Sequence, residues 1–154
     1  MTRAVRPAAQ SLLGIFLGDD IHYRASAQAY GDGGATALAR ALALFIDRPE
    51  LGFVWVAHTT IDTSSVAIGA CVVCRAISTS CGAVVAKLDD VCVHPDWLAR
   101  GVGGAMLTAL IAHLRLEGIA RIDSACHRDN AGAWRFYERL GFVSLDEERI
   151  ALLL

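Results

Sequence analysis

Residues 91–107 combine a strand-like apolar run, a turn and three glycines at the start of an amphipathic helix. The segment reads VCVHPDWLARGVGGAML, and the glycines are Gly101, Gly103 and Gly104. Glycine costs a helix about 1 kcal/mol relative to alanine, so glycines in a first helical turn indicate that something else is gained. Backbone N–H groups at a helix N-terminus have no partner within the helix and favour an anion. We therefore predict that this turn holds a pyrophosphate.

Other motifs compete for the same glycines. The dinucleotide-binding pattern G-x-G-x-x-G needs a third glycine where this chain has Met106, and the P-loop needs a Gly-Lys-Ser/Thr that the sequence lacks. A simpler alternative is that the glycines only permit close packing of the helix against a sheet. The sequence leaves that alternative open.

The length and charge of the chain restrict its class. A chain of 154 residues is most simply one domain, residues 1–154. Its net charge of −2 and pI near 6.2 provide no basic field, so nucleic acid is not an expected partner. Polar residues interrupt each apolar run before the roughly 20 residues that span a bilayer, so no membrane is expected. The short apolar run near the N-terminus is broken by Gly14 and is a poor signal peptide, which favours a cytoplasmic protein.

The five cysteines are an odd number without a disulfide-framework spacing. Cys71 and Cys74 form a C-x-x-C, which can indicate zinc or redox chemistry. They lie in a strand-like run, where residues three apart point to opposite faces of a sheet. We interpret them as small apolar residues of a reduced protein and expect no metal.

In the first half of the chain, apolar periodicity and breaker residues predict the order of elements. We predict a short strand at 3–7, a weak helical stretch at 11–17, a mobile connection at 19–34, a helix at 35–46 and strands at 53–58, 66–74 and 84–93. The three later strands suggest an antiparallel meander.

In the second half, the apolar stripe of a helix follows the glycines, and Gly118 ends it. A strand at 119–127, a helix at 130–140 and an extended segment at 141–154 follow. A strand, a crossover helix and a further strand imply a parallel pair. The predicted fold class is therefore α/β (α+β), with a mixed, mostly antiparallel central sheet, one locally parallel pair and flanking helices.

A second motif, DNAGAWRFYERLGF, occupies residues 129–142. Asn130 is a good N-cap for a helix that Gly141 ends, and Tyr137 lies two turns further on about the same side. Beside Trp134 and Phe136, a tyrosine serves core packing more often than chemistry. The residues alone leave both roles open.

Together, V-x-V-H-P-x-W-x-x-R-G-V-G-G-x-x-L and N-A-x-A-x-x-F-Y-E-R-L-G-F resemble the acetyl-CoA-binding core of the GNAT superfamily of N-acetyltransferases. The resemblance covers about residues 88–142. It implies a GNAT-like fold, acetyl-CoA as co-substrate, no metal and transfer of an acetyl group to an amine. Dimers are common in this superfamily, so a homodimer is a further expectation.

The resemblance also assigns roles to residues. It implies that a strand and the glycine turn bind acetyl-CoA mainly through backbone groups, that Asn130 contacts it, and that Tyr137 binds it and protonates the departing thiolate. One difference is Leu98, where the family pattern has Gln or Arg. The remaining cofactor-binding candidates are Val91, Cys92, Val93, Arg100, Gly101, Val102, Gly103, Gly104 and Ala105.

Asp89 and Asp90 are the acidic candidates for the amine site, since acidic residues at this place bind a cationic amine in the diamine and polyamine acetyltransferases. Adjacent strand residues face opposite ways, so only one should face the substrate unless a bulge intervenes. His94 is a candidate proton relay, although His-Pro more often opens a turn. By analogy alone, Tyr23 and Tyr30 are candidates for the acceptor site.

The predicted function is acetyl transfer from acetyl-CoA directly to a primary amine of a small molecule, with Tyr137 and Asp89 or Asp90 as catalytic residues. Two alternatives remain from the sequence. One is a non-catalytic module that binds or senses acyl-CoA, and the other is acetylation of a protein or peptide amine.

Overall fold

A computed structural model describes residues 4–31, 33–145 and 152, without the side chains of residues 25, 26 and 28–30. The helices are α1 (Arg6–Asp19), α2 (Ile21–Tyr30), α3 (Gly34–Asp47), α4 (Val102–Leu116) and α5 (Ala131–Arg139). The strands are β1 (Gly52–Ile61), β2 (Ser64–Ser78), β3 (Ala83–Val93) and β4 (Ile122–Ser124). Short 3₁₀ turns lie at Pro49–Leu51 and Pro95–Trp97.

The strands form one sheet in the order β1-β2-β3-β4. The β1–β2 and β2–β3 pairs are antiparallel, whereas β4 pairs with β3 in parallel from Ala86↔Ile122 to Leu88↔Ser124. The predicted meander with one parallel pair is therefore confirmed. Because the β3–β4 ladder ends at Leu88, the last part of β3 extends past its parallel partner.

Helices cover both faces of the sheet. On one face, Leu12 and Leu13 of α1 and Leu42 of α3 pack against strand residues such as Val54 and Val72. On the other face, Met106, Leu107, Leu110 and Leu114 of α4 pack against Cys71, Val73, Ala86 and Leu88, and α5 adds Phe136, Tyr137 and Leu140. Burying each such leucine contributes about 2–3 kcal/mol, so both faces anchor the sheet.

The helix after the glycines follows its sequence pattern. Its buried residues are Met106, Leu107, Leu110 and Leu114, as the predicted stripe requires. Gly118, at φ +76°, lies just past the C-cap of α4, where a left-handed residue ends a helix at low cost. The helix and its end are confirmed.

The N-terminal predictions are partly wrong. α1 begins at Arg6, so residues 4–7 are not a strand; Pro7 suits a first helical turn because its φ is already helical. Residues 19–34 are not a simple connection, because most of them form α2. The Asp20 carboxylate accepts a hydrogen bond of 2.6 Å from the Tyr23 N–H and caps this helix.

The C-terminal predictions are only partly met. The strand predicted at 119–127 is shortened to Ile122–Ser124 because pairing with β3 stops there. α5 is confirmed, with the Asn130 side chain as its N-cap. Of the predicted extended segment 141–154, residues 141–145 belong to no strand, and residues 146–151, 153 and 154 lie outside the described part.

Candidate functional site

Two clefts meet at β3. The first, here called the glycine cleft, is a cavity of about 490 Å³ between the glycine turn and α5. The second, the acidic cleft, is a cavity of about 480 Å³ between α1, α2, β3 and α5. Val91 lines both clefts, so the two clefts adjoin at this strand. Both volumes lie within the range of ordinary small-molecule sites.

The glycine cleft brings together most of the residues predicted to bind the cofactor. Its wall also includes Trp97, Leu98 and Phe136, which were not among the predicted cofactor-binding residues. Leu98 is 59% exposed. The predicted residues in its wall are Val91, Val93, Gly101, Val102, Gly103 and Gly104.

Five residues predicted to bind the cofactor do not line this cleft: Asn130 and Tyr137, which line the acidic cleft, and Cys92, Arg100 and Ala105. The Cys92 side chain lies on the opposite face of the sheet, where its Sγ is 3.9 Å from the Leu12 carbonyl oxygen. The Arg100 guanidinium stacks over the Trp97 ring at 5.2 Å, beside the cleft. Ala105 is exposed, and its N–H donates to the Gly101 carbonyl at 3.0 Å, which closes the first helical bond.

Packing does not explain the glycines at 101 and 104. A Cβ added at Gly101 or Gly104 would have no neighbour within 4 Å, whereas a Cβ at Gly103 would lie 3.4 Å from the Phe136 ring. The packing alternative therefore applies only to Gly103. At Gly104 the missing side chain leaves open space beside the first turn of α4, as a ligand approaching the backbone requires.

The loop before α4 has an anion-binding conformation. Ala99 at φ +56° and Gly101 at φ +78° are both left-handed. Such residues turn successive N–H groups towards one side, and a non-glycine residue held there is typical of a functional loop. The N–H groups of Val102, Gly103 and Gly104 are those that an α-helix cannot satisfy itself. Together they fit a pyrophosphate, so the chain has the backbone features that acetyl-CoA needs.

A bulge in β3 shapes the acidic cleft. Asp89 pairs with Val72 and Cys92 with Ala70, so Asp90 and Val91 together face one residue of β2. Asp90 adopts φ +49°, as an extra residue in a bulge does. As a result, Asp89, Asp90 and Val91 all line the acidic cleft, which the alternation of a regular strand would prevent.

The walls of the acidic cleft are acidic and aromatic. Its carboxylates are those of Asp20, Asp89 and Asp90, and neither lysine nor arginine is among the described lining residues. The Lys87 ammonium, outside the wall, pairs with Asp89 at 2.8 Å and balances one of these charges. Phe16, Tyr23, Phe45, His22 and His127 complete the aromatic and imidazole part of the wall.

Tyr137 reaches the acidic cleft from α5. Its ring contacts Phe136 and Phe142 at centroid distances of 5.3 and 5.2 Å, which fixes its direction. Burial raises the pKa of Tyr137 to about 12, although a hydrogen bond with Ser124 acts in the opposite direction. The phenol is therefore protonated at neutral pH and can donate a proton.

Asn130 lies in the same cleft as Tyr137 and not in the glycine cleft. Its Oδ1 accepts a hydrogen bond of 2.9 Å from the Ala133 N–H, so its first role is to cap α5. Capping fixes the start of the helix and thereby the position of Tyr137 two turns later.

The remaining sequence candidates have mixed outcomes. Tyr23 lines the acidic cleft, whereas the side chain of Tyr30 lies outside the described part. His94 caps the 3₁₀ turn by accepting from the Asp96 N–H at 3.3 Å, which supports a turn and not a relay. Sequence reasoning missed Asp20, His22 and His127 as site residues; the two successive aspartates before α2 were a helix-start signal, but no local signal links His22 to His127.

The cysteines are free thiols. Cys71 packs on the α4 face and Cys74 on the α1 face, so they do not form a dithiol. Burial raises the pKa of the Cys71 thiol and raises that of Cys92 to about 12. Within residues 4–31, 33–145 and 152, there is no cluster of three or more metal-ligating side chains, and no helix is long and apolar enough to cross a bilayer.

Comparisons with known proteins agree with this geometry. The sequence model of the Acetyltransferase (GNAT) family matches residues 21–142. The chain is 39% identical over 57 residues to the ribosomal-protein-bS18-alanine N-acetyltransferase of Escherichia coli. The aligned residues are 37% of this chain and 38% of that protein. It is also 36% identical over 67 residues to the mycothiol acetyltransferase of Nocardiopsis dassonvillei. Here the aligned residues are 44% of this chain and 20% of that protein.

Each match thus covers less than two-fifths of the relative's length. A solved structure described as a probable acetyltransferase has the same fold, with a TM-score of 0.73 at 18% identity over all of this chain and 94% of that chain.

Proposed function

Because the chain belongs to the Acetyltransferase (GNAT) family, we propose that it transfers an acetyl group from acetyl-CoA directly to the primary amine of a small cationic molecule. The observation that carries this proposal is the meeting of the two clefts at Val91. One cleft fits a pyrophosphate, and the charged residues of the other are acidic.

The glycine cleft is the donor site in this proposal. The backbone N–H groups of Val102, Gly103 and Gly104 hold the pyrophosphate. The rest of acetyl-CoA lies along Val91 and Val93 and points towards the acidic cleft. Leu98 is apolar where the family pattern has Gln or Arg, so the backbone donors and Arg139, a basic residue in the wall of this cleft, are left to contact the pyrophosphate. Acetyl-CoA, when bound, supplies the acetyl group as an activated thioester.

The acidic cleft is the acceptor site. Asp90 and Asp89 attract and orient an ammonium group, and Lys87 moderates the charge of Asp89. A backbone amide of β3 near Val91 stabilises negative charge that develops on the acetyl oxygen. Tyr137, whose phenol is protonated at neutral pH and lines this cleft, donates its proton to the sulfur that leaves. Holding both reactants at one strand supplies the proximity for direct transfer.

The proposal is tested by titrating the purified protein calorimetrically with acetyl-CoA, CoA and NADH, and then by measuring thiol release with an amine panel. The panel includes diamines, polyamines, phenethylamine and a peptide with a free N-terminus. Binding of acetyl-CoA but not NADH, with thiol release on a small cationic amine, is the expected result.

Three other results would contradict the proposal in different ways. Binding of acetyl-CoA without turnover on any amine indicates a sensing module. Turnover on the peptide alone indicates a protein acceptor. Absence of acetyl-CoA binding would overturn the assignment of the glycine cleft.

A further inference from the structure

Two histidines from distant parts of the chain meet in the acidic cleft. His22 lies on α2 and His127 on the segment between β4 and α5, and both line the cleft. Their ring centroids are 5.3 Å apart with an interplanar angle of 30°. Histidine exchanges a proton near neutral pH more readily than any other side chain, so this pair is a candidate for proton transfer.

Their contacts give the two rings different roles. The Nδ1 of His127 accepts the Asp129 N–H at 3.3 Å and lies 3.8 Å from its carboxylate Oδ2. In neutral His127 the ring proton is therefore on Nε2. Its acceptor nitrogen, Nδ1, already accepts the Asp129 N–H and is not available to a substrate proton. Within the described residues, the ring nitrogens of His22 make no hydrogen bond, and its ring packs on His127. His22 can accept a proton, and His127 holds its ring in place.

The reaction requires such a group. An alkyl amine is mostly ammonium near neutral pH, and only the neutral amine can attack a thioester. Carboxylates attract the ammonium, but their ordinary pKa near 4 makes them weak bases towards it. The proposed function so far provides an acid for the sulfur but no efficient base for the nitrogen.

We propose, on the basis of the function proposed above, that His22 is the base that removes the proton from the acceptor ammonium and that His127 is its positioning residue. The nitrogen loses two protons in all. The first passes to His22 before attack and then to solvent. As the C–N bond forms and the C–S bond breaks, Tyr137 gives its proton to sulfur, and the second nitrogen proton replaces it. The products are the amide, free thiol and one released proton.

The pair shares the acidic cleft with the carboxylates that attract the ammonium group. The other titratable residues in the wall of this cleft are Asp20, Tyr23, Asp89, Asp90, Cys126 and Tyr137, and Asp129 contacts His127.

The test uses two acceptors of nearly the same shape, phenethylamine and O-benzylhydroxylamine. Near neutral pH the first is cationic and needs a base, whereas the second is already neutral. We compare kcat/KM of the wild type with that of His22→Gln, His127→Gln and the control His58→Gln. His58 is an exposed histidine of β1 whose Nδ1 lies 3.1 Å from the Ser65 hydroxyl.

With phenethylamine, we expect His22→Gln to lower kcat/KM about 100-fold near neutral pH, His127→Gln to lower it less, and His58→Gln to leave it unchanged. The His22→Gln loss should shrink with rising pH as free amine accumulates. With O-benzylhydroxylamine, the same variants should lose less than about threefold.

Equal losses on the two acceptors would show that His22 only shapes the cleft and would overturn the inference, as would wild-type rates in His22→Gln. If the wild type releases thiol with neither acceptor nor any other amine of the panel, the proposed function itself is wrong, and the base assignment fails with it.

Discussion

Phe136 and Tyr137 are neighbours on α5 and line different clefts, Phe136 the glycine cleft and Tyr137 the acidic cleft. Their rings are 5.3 Å apart and inclined at 66°. One turn of one helix thus contributes to both sites. A substitution can therefore remove the phenol hydroxyl of Tyr137 without changing the wall of the glycine cleft.

The first prediction concerns Tyr137→Phe. We expect kcat to fall about 100-fold because the proton donor for the sulfur is lost, with the Kd for acetyl-CoA changed less than about threefold. Thiol release and calorimetry measure the two quantities. The control is Ser124→Ala, which removes a partner of the phenol but keeps the phenol and should cost far less. Unchanged turnover of Tyr137→Phe would exclude Tyr137 as the acid.

The second prediction concerns the ionisation of Tyr137. Its pKa is raised to about 12 in the folded chain, against about 10 for ordinary tyrosine. A raised pKa means that the folded state favours the neutral phenol, so its contribution to stability is complete below pH 10 and is lost as the pH rises towards about 12. Spectrophotometric titration of the wild type minus Tyr137→Phe should show this late ionisation. A difference spectrum that titrates at the ordinary value would contradict the burial argument.

The third prediction concerns Gly104→Ala. Because a Cβ at this position meets nothing within 4 Å, the fold should accept it, and the free energy of unfolding should rise by about 0.5–1 kcal/mol. The methyl group enters the space beside the first-turn N–H groups, so the Kd for acetyl-CoA should rise at least about tenfold, a cost of roughly 1.4 kcal/mol.

Gly18→Ala is its matched control, since Gly18 lies in α1 and also has no neighbour within 4 Å. It should stabilise the chain similarly without any change in acetyl-CoA affinity. Chemical denaturation and calorimetry measure both variants. Unchanged affinity in Gly104→Ala would contradict the pyrophosphate assignment.

The fourth prediction concerns Asp90→Asn. Asparagine tolerates the left-handed φ of +49°, so the bulge should persist while one carboxylate is lost. We expect KM for a cationic amine to rise about tenfold, because a hydrogen bond to a charged group contributes about 1.5–3 kcal/mol.

Asp62→Asn makes the same change at φ +44° in the β1–β2 turn, which is not among the residues that line either cleft, and should leave KM unchanged. Steady-state kinetics with a cationic amine compare the two variants. Equal KM values in both would remove Asp90 from the acceptor site.

The fifth prediction concerns thiol reactivity. Cys81 is exposed, whereas Cys71 and Cys92 are buried and their pKa values are raised by burial. Because the thiolate is the reactive form, a thiol reagent should modify Cys81 rapidly and the two buried thiols only after unfolding. Mass spectrometry of the labelled peptides reads out the order. Rapid labelling of Cys71 in the folded protein would contradict the packed α4 face.

The sequence determined the elements whose signals are local. α4 and its end at Gly118, α5 and its cap at Asn130, α3 and the meander follow from apolar periodicity, capping residues and breakers, which act over a few residues. The glycine turn was likewise readable, because glycines at the start of a helix are costly and indicate that something else is gained, although packing accounts for Gly103. α2 was missed because its ten residues carry a weak apolar pattern. Its position depends on the Asp20 cap and on the contact between the Phe16 and Tyr23 rings, whose centroids are 6.3 Å apart.

Only the tertiary structure decided the composition of the acidic cleft. The bulge at Asp90 depends on the register of β3 against β2, and the early end of β4 depends on where β3 and β4 diverge, so neither has a local sequence signal. The meeting of His22 with His127 likewise joins residues far apart in the chain. Short-range patterns therefore determined the glycine turn, whereas long-range packing assembled the second cleft.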